Sequence, residues 1–226
     1  NNLDLITNLS QIYKRSNIHL DCKRHFLLFN KHNIIPKYCF NCYKVQLEPT
    51  SIIEFLKLFI IFENVNLPLD NTRKCMVENR QEINGYYKGL IYCSSLEEAY
   101  FVKEEIDHLV AKSINFNLKS TIKRGCSEFA LKYPQYKEIN KSGDQAMNYN
   151  ENWKSKEDEI DRGNKEWGKA NKSIEGFNLN NFLIMRNWIA YAQKIGDQRV
   201  NEITDEKISE PKIFNYLNRT FDLKKK

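Results

Sequence analysis

The stretch YCFNCYKVQLEPTSIIEFLKLFIIF, residues 38–62, decides the fold. Tyr43, Val45 and Leu47 alternate with Lys44, Gln46 and Glu48, the period of two expected of a strand with one buried face. Pro49 ends that run, because proline has no amide to give a sheet ladder. Ser51 followed by Glu54 is then an S-x-x-E capping signature, so a helix opens at Ile52 and runs to about residue 63. The apolar part of that helix is about 12 residues long and carries Glu54 and Lys57. It is too short and too charged to cross a bilayer, and reads as a buried helix.

Working outward, RKCMVENR (73–80) reads as a short strand, QEING (81–85) as a turn, and YYKGLIYCS (86–94) as the returning strand of a hairpin. Ser95 with Glu98 repeats the capping signature. Ala99, Val102, Ile106, Leu109 and Val110 then recur at helical spacing, and NLKSTIKRGCSEF (117–129) supplies a last strand. The order β-α-β-β-α-β across residues 36–134 predicts an α+β domain of the split-βαβ, ferredoxin-like type. Its two helices cover one face of an antiparallel sheet of order 4-1-3-2.

Residues 1–35 read as an N-terminal helical segment of two helices. The first carries Leu3, Leu5, Ile6, Leu9, Ile12 and Tyr13; the second is DCKRHFLLFNKH behind an Asp21 N-cap, closed by Pro36. Residues 135–226 read as a mostly helical C-terminal extension. Trp153 and Trp167 are its apolar anchors in a polar tract. An amphipathic helix is predicted near 179–195, stopped by Gly196, with a short last helix in KIFNYLNRTF (212–221).

The formal net charge of +6 is mild, and it is spread: residues 1–126 hold 17 basic and 13 acidic side chains, residues 127–226 hold 18 and 16. That permits an anionic partner without the clustered excess of a dedicated nucleic-acid binder. NNLDLITNLS has an early Asp4 and no apolar h-region, so no leader is expected there. Six cysteines without a leader favour a reducing compartment, and a cytoplasmic location with no membrane span is the expectation.

The cysteines carry the chemical reading. In a split-βαβ sheet, Cys39 and Cys42 open the first strand, Cys75 lies near the start of the second, Cys93 near the end of the third and Cys126 near the end of the fourth. All five are expected at one end of the sheet. Four thiolates close a tetrahedral zinc site or hold an iron–sulfur cluster. The expected ligands are Cys39, Cys42, Cys93 and either Cys75 or Cys126, with Cys22 and His25 in reserve on one helix face. Cysteines also pack as small hydrophobes in strands, which is the competing account. Basic residues flank these thiols (Lys37, Arg73, Lys74, Lys123, Arg124, Lys23, Arg24), and positive neighbours favour thiolate.

YYKGLIYCSSLEEA resembles the RNP1 strand of RNA-recognition motifs at Lys88, Gly89 and Tyr92, and departs from it at Leu90, where that family places a stacking aromatic. The resemblance implies an RNA-contacting sheet face. Lys44, Lys88, Tyr86 and Tyr92, with Arg73, Lys74 and Arg124 beside the thiols, are the candidate contacts to RNA or another anionic ligand. The chain lacks G-x-S-x-G, P-loop, dinucleotide-binding and H-E-x-x-H patterns. The expectation is a metal-stabilised binding protein of the cell interior with zinc on its cysteines; the alternative is an iron–sulfur or thiol-redox enzyme using the same cysteines.

Overall fold

Ser51 and Ser95 both cap helices. The Ser51 hydroxyl accepts from the Glu54 amide at 3.4 Å, opening a helix over Ile52–Asn64, and Ser95 accepts from Glu98 at 3.1 Å, opening one over Leu96–Ser113. Each glutamate reaches one residue further back than the usual reciprocal bond. Glu54 accepts from the Thr50 amide and Glu98 from the Ser94 amide, so a second amide at each helix start is satisfied.

The computed structural model describes residues 9–16, 20–81, 83–139, 146–163, 173 and 176–203. Its strands are β1 (Gln11–Lys14), β2 (Tyr43–Leu47), β3 (Arg73–Val77), β4 (Tyr87–Cys93) and β5 (Thr121–Arg124). Its α-helices are α1 (Cys22–His32), α2 (Ile52–Asn64), α3 (Leu96–Ser113), α4 (Lys154–Arg162) and α5 (Leu179–Ile195). The strands form one antiparallel sheet in the order β1-β3-β4-β2-β5, so the architecture is α+β. This is a five-strand order, not the four-strand 4-1-3-2 sheet expected from sequence.

The extra strand corrects the reading of the N-terminal segment. Gln11–Lys14, expected in a helix, is extended along β3 with Ile12 opposite Cys75. Leu9 and Ile12 carry helical spacing, but one turn of apolar spacing does not repay helix nucleation. Tertiary contacts win instead: Asn187 Nδ2 donates to the Leu9 carbonyl at 3.0 Å and Trp188 Nε1 to the Ser10 carbonyl at 2.8 Å. A second correction concerns the CxxC. Lys37–Phe40 is a 3-10 turn rather than the start of β2. Asp21 precedes α1 as expected but makes no side-chain cap bond. The short C-terminal helix expected at 212–221, and Trp167, lie outside the described residues.

Strand parity divides the sheet. Ile12, Tyr43, Val45, Leu47, Cys75, Val77, Tyr87, Ile91 and Cys93 face the main core with α2, α3 and α5. Phe55, Leu58, Phe59 and Phe62 of α2 and Ala99, Val102, Ile106 and Val110 of α3 close over them at three- and four-residue intervals. The Trp188 ring of α5 lies 4.5 Å from Phe55, and Gly196 ends α5 in the left-handed region at φ 76°, as expected. A second, smaller core gathers Ile35, Cys39, Phe40, Cys126, Phe129 and Tyr136 against Trp153 and Tyr149. It is built mainly from short 3-10 turns and α1. Among the described residues no helix is long and apolar enough to cross a membrane.

Candidate metal centre at the end of the sheet

Four thiols lie within electrostatic reach of one another where the second core touches the sheet. Cys22 opens α1, Cys39 and Cys42 frame the 3-10 turn before β2, and Cys126 follows β5. Cys126 interacts with both Cys22 and Cys39, and Cys42 lies within electrostatic reach of Cys22, Cys39 and Cys126. The Gly125 amide donates to the Cys42 carbonyl at 2.9 Å, which carries the β2–β5 ladder one residue further. A Cβ on Gly125 would collide with Cys42 Sγ, so the glycine leaves the space that this sulfur occupies. Among the described residues, no group of three or more His, Cys, Asp or Glu is already drawn together closely enough to hold an ion.

The backbone of this corner is firmly held. Arg124, buried between the Tyr43 and Tyr136 rings, donates to the Phe40 carbonyl at 2.6 Å and the Tyr136 carbonyl at 3.1 Å. Tyr136 donates its hydroxyl to the Cys39 carbonyl at 2.8 Å. Glu157 of α4 bridges Arg24 of α1, at 2.8 Å, and the Lys37 amide, at 3.1 Å, so α1 and the CxxC turn share one carboxylate. Asp161 adds two further bonds to Arg24.

Burial sets the protonation of the thiols. The Cys42 thiol is pushed up to about 12 by burial first, with Cys22 adding to it. Cys22 is raised chiefly by its hydrogen bond to Cys126, then by burial. Burial raises Cys39 despite its bond to Cys126. For Cys126 the bond to Cys22 favours thiolate, but the bond to Cys39 and burial outweigh it. The basic neighbours named in the sequence therefore do not produce free thiolates; desolvation wins.

The remaining candidates separate. Cys75 stands in the middle of β3 opposite Gly89, on the helix-covered face, and is raised by burial with no thiol near it. Cys93 faces the same core, beside Asn71 Nδ2 at 3.9 Å. Cys75 therefore stands apart from the other thiols, Cys93 keeps an electrostatic contact with Cys42 from the helix-covered face, and Cys22 joins the thiols at the sheet end. His25, the other reserve ligand, is buried and stacks on Tyr38 with ring centroids 5.4 Å apart. Burial, then the Arg24 charge, lowers it to about 4.

The opposite sheet face forms a groove of about 470 Å³ that runs up to the thiols. Lys44, Lys74, Lys88 and Tyr92 line it, together with Tyr13, Cys22 and Cys126. Lys88 pairs with Glu48 at 3.5 Å and Glu78 at 3.9 Å, Lys123 pairs with Glu48 at 3.6 Å, and Arg80 bridges Glu78 and Glu128. Arg73 and Arg124 are on the helix side: Arg73 donates to the Phe62 carbonyl at 2.6 Å. Tyr86 lies before β4 and packs against Tyr191. Sequence reasoning missed Tyr13, whose strand it took for a helix. Comparisons with protein-family models, with curated proteins and with solved structures found no significant match.

Proposed function

We propose that this chain is a metal-stabilised binding protein in which Cys22, Cys39, Cys42 and Cys126 hold a structural zinc ion. The observation that carries the reading is the meeting of four thiols from three separate parts of the chain, beside a glycine that makes room for one of them. Soft sulfur donors in a set of four suit Zn²⁺, which has no geometric preference beyond the tetrahedron. The metal would tie α1, the CxxC turn and the end of β5 together, in a core made of short turns that buries little apolar area. Metal binding there is folding free energy. We also read β2-α2-β3-β4-α3-β5 as a split-βαβ unit to which β1 has been added at one edge.

The RNA reading has less support. Lys88, Lys123 and Arg80 are already matched by carboxylates, and Arg73 and Arg124 are turned to the other face. The thiol-redox alternative needs accessible thiolates, and burial opposes them. Elemental analysis of gently purified protein tests the proposal: one zinc per chain is expected, and a ratio near zero removes it. Iron with a visible absorption band would replace zinc by a cluster on the same thiols. Cys22→Ser and Cys126→Ser should release the metal and lower the Tm sharply, whereas Cys75→Ser and Cys93→Ser should keep the metal.

A further inference from the structure

The groove on the sheet face away from α2 and α3 has an apolar floor and a charge of one sign. β4 runs between β2 and β3, and the register sets Lys44 of β2 opposite Tyr92 and Lys74 of β3 opposite Leu90. Met76 of β3, opposite Lys88, extends the floor. Lys44, Gln46, Met76, Lys88 and Leu90 are only 4–8% exposed, so this face is a cleft rather than an open platform. Its volume of about 470 Å³ falls within the range of small-molecule sites. Three rings line it, Tyr13, Tyr92 and Phe26.

Five cations line the same cleft, Lys44, Lys74, Lys88, Lys123 and Arg80, against two carboxylates, Glu78 and Glu128. Counting Glu48 as well, which pairs with Lys88 and Lys123, five cations still outnumber three carboxylates. Lys88, Lys123 and Arg80 hold those carboxylates at 2.8–3.6 Å. Glu128 is also felt at Lys44 and Lys74, but its bond is to Arg80 at 3.1 Å. Lys74 has Gln11 Oε1 at 3.5 Å and the Tyr13 ring at 5.4 Å, both neutral. The surplus positive charge therefore falls on Lys44 and Lys74, on either side of the Leu90–Tyr92 floor. A cleft with low-dielectric walls concentrates such a field.

We propose that this groove binds a small aromatic anion, its rings against Leu90 and Tyr92 and its acid group within reach of Lys44 and Lys74. This gives the binding role a ligand class and does not depend on the cysteines holding a metal. β2 and β3 are two strand spacings apart, about 10 Å, which leaves room for a two-ring body. Aromatic rings supply stacking partners for such a body, and the ammonium groups give charge-assisted bonds to its acid group. Single-stranded RNA stacks its bases on an open face while its backbone stays in water, and a floor so little exposed does not offer that.

Fluorescence titration with anilinonaphthalenesulfonate, an aryl sulfonate dye, tests the proposal. One saturable site per chain is expected, and no saturable binding would overturn it. Phenylnaphthylamine, a dye with the same rings and no acid group, should bind the wild-type chain at least about tenfold more weakly, the effect of losing a charged hydrogen bond. Lys44→Met and Lys74→Met keep the apolar stem and should each weaken the sulfonate dye by a similar factor without changing the neutral dye. Lys112→Met on α3, across the sheet, should leave both dyes unchanged. Circular dichroism of the variants checks that they are folded, and the comparison of the two dyes on wild type needs no variant. Equal affinity for both dyes, or folded methionine variants that bind the sulfonate like wild type, would overturn anion recognition. Displacement of the dye by a short oligouridine at lower concentration than by uridine monophosphate would assign the groove to a nucleic-acid strand and overturn the small-ligand reading. Zinc is measured on the same sample, so a metal-free chain that binds the dye as expected removes the cysteine reading alone. A zinc-loaded chain that does not bind the dye removes the groove reading alone.

Discussion

Replacing Gly89 by alanine puts a methyl group into the contact between the sheet and α2. The added Cβ would lie 2.5 Å from Leu58 Cδ2 and 3.1 Å from two atoms of the Phe62 ring, against an ordinary carbon–carbon contact of about 3.5–4.0 Å. Leu58 and Phe62 are both buried, so the methyl is accommodated only by turning Leu58 off its rotamer or by shifting α2 outward. Overpacking of this kind costs about 1–3 kcal/mol. Removing a glycine from a strand returns about 0.5–1 kcal/mol of chain entropy. The net is about 1–2 kcal/mol, or roughly 2–8 °C in Tm for a chain of this size. Urea denaturation gives the free energy and differential scanning calorimetry the Tm. The double variant with Leu58→Ala isolates the contact: the leucine cavity should absorb the methyl, so the pair should cost about 1–2 kcal/mol less than the two single changes together. Gly163→Ala is the control, since its Cβ would meet nothing closer than 3.5 Å. Gly89→Ala as stable as wild type, or strict additivity with Leu58→Ala, would refute the packing argument.

His25 supplies a pH test. It is held near 4 in the fold against 6.5 in the open chain, so its contribution is complete above about 6.5 and is lost as pH falls toward 4. About 2 kcal/mol should be gone by pH 5, and His25→Phe should flatten the urea stability profile between pH 7 and 5; parallel profiles would contradict this. Asp197→Ala removes the acceptor shared by the Tyr87 hydroxyl and the Ile52 amide and should cost about 2–3 kcal/mol in chemical denaturation; a neutral change would mean water replaces both bonds. Trp188→Phe keeps the ring in the core but loses the bond to Ser10. Hydrogen exchange should then quicken in β1 while β2 and β4 keep their protection, and uniform loosening would speak against β1 being held separately.

Much of the fold was legible because local signals agreed. The alternation at Tyr43, Val45 and Leu47, the two serine caps and Gly196 each have one cheap structural solution. β1 was not legible: a four-residue edge strand with one buried side chain, Ile12, carries no period to read. The cysteine end was half legible. Cys39, Cys42 and Cys126 were picked out by position along the strands, but position alone ignores which face a side chain takes. Parity holds that information. Cys93 is in phase with Ile91 and Tyr87, and so shares the helix-covered face with Tyr43, while Cys42 is one residue out of phase with Tyr43. Cys75 falls to the same argument through Val77. Cys22 had no strand to place it, and only the three-dimensional approach of α1 brings it in.

The position of β1 has a consequence for solubility. The β3 backbone, RKCMV, would be an exposed edge if the sheet ended there, and such an edge recruits strands from other molecules. β1 occupies it, and β1 is in turn clamped by α5, some 175 residues further along the chain. During synthesis β3 and β4 can pair long before α5 exists, so the β3 edge stays poorly guarded until α5 has been made. The opposite edge needs no such guard, since β5 is four residues long and carries Lys123 on its surface. Truncation ahead of α5 would therefore favour self-association through β3 over simple unfolding.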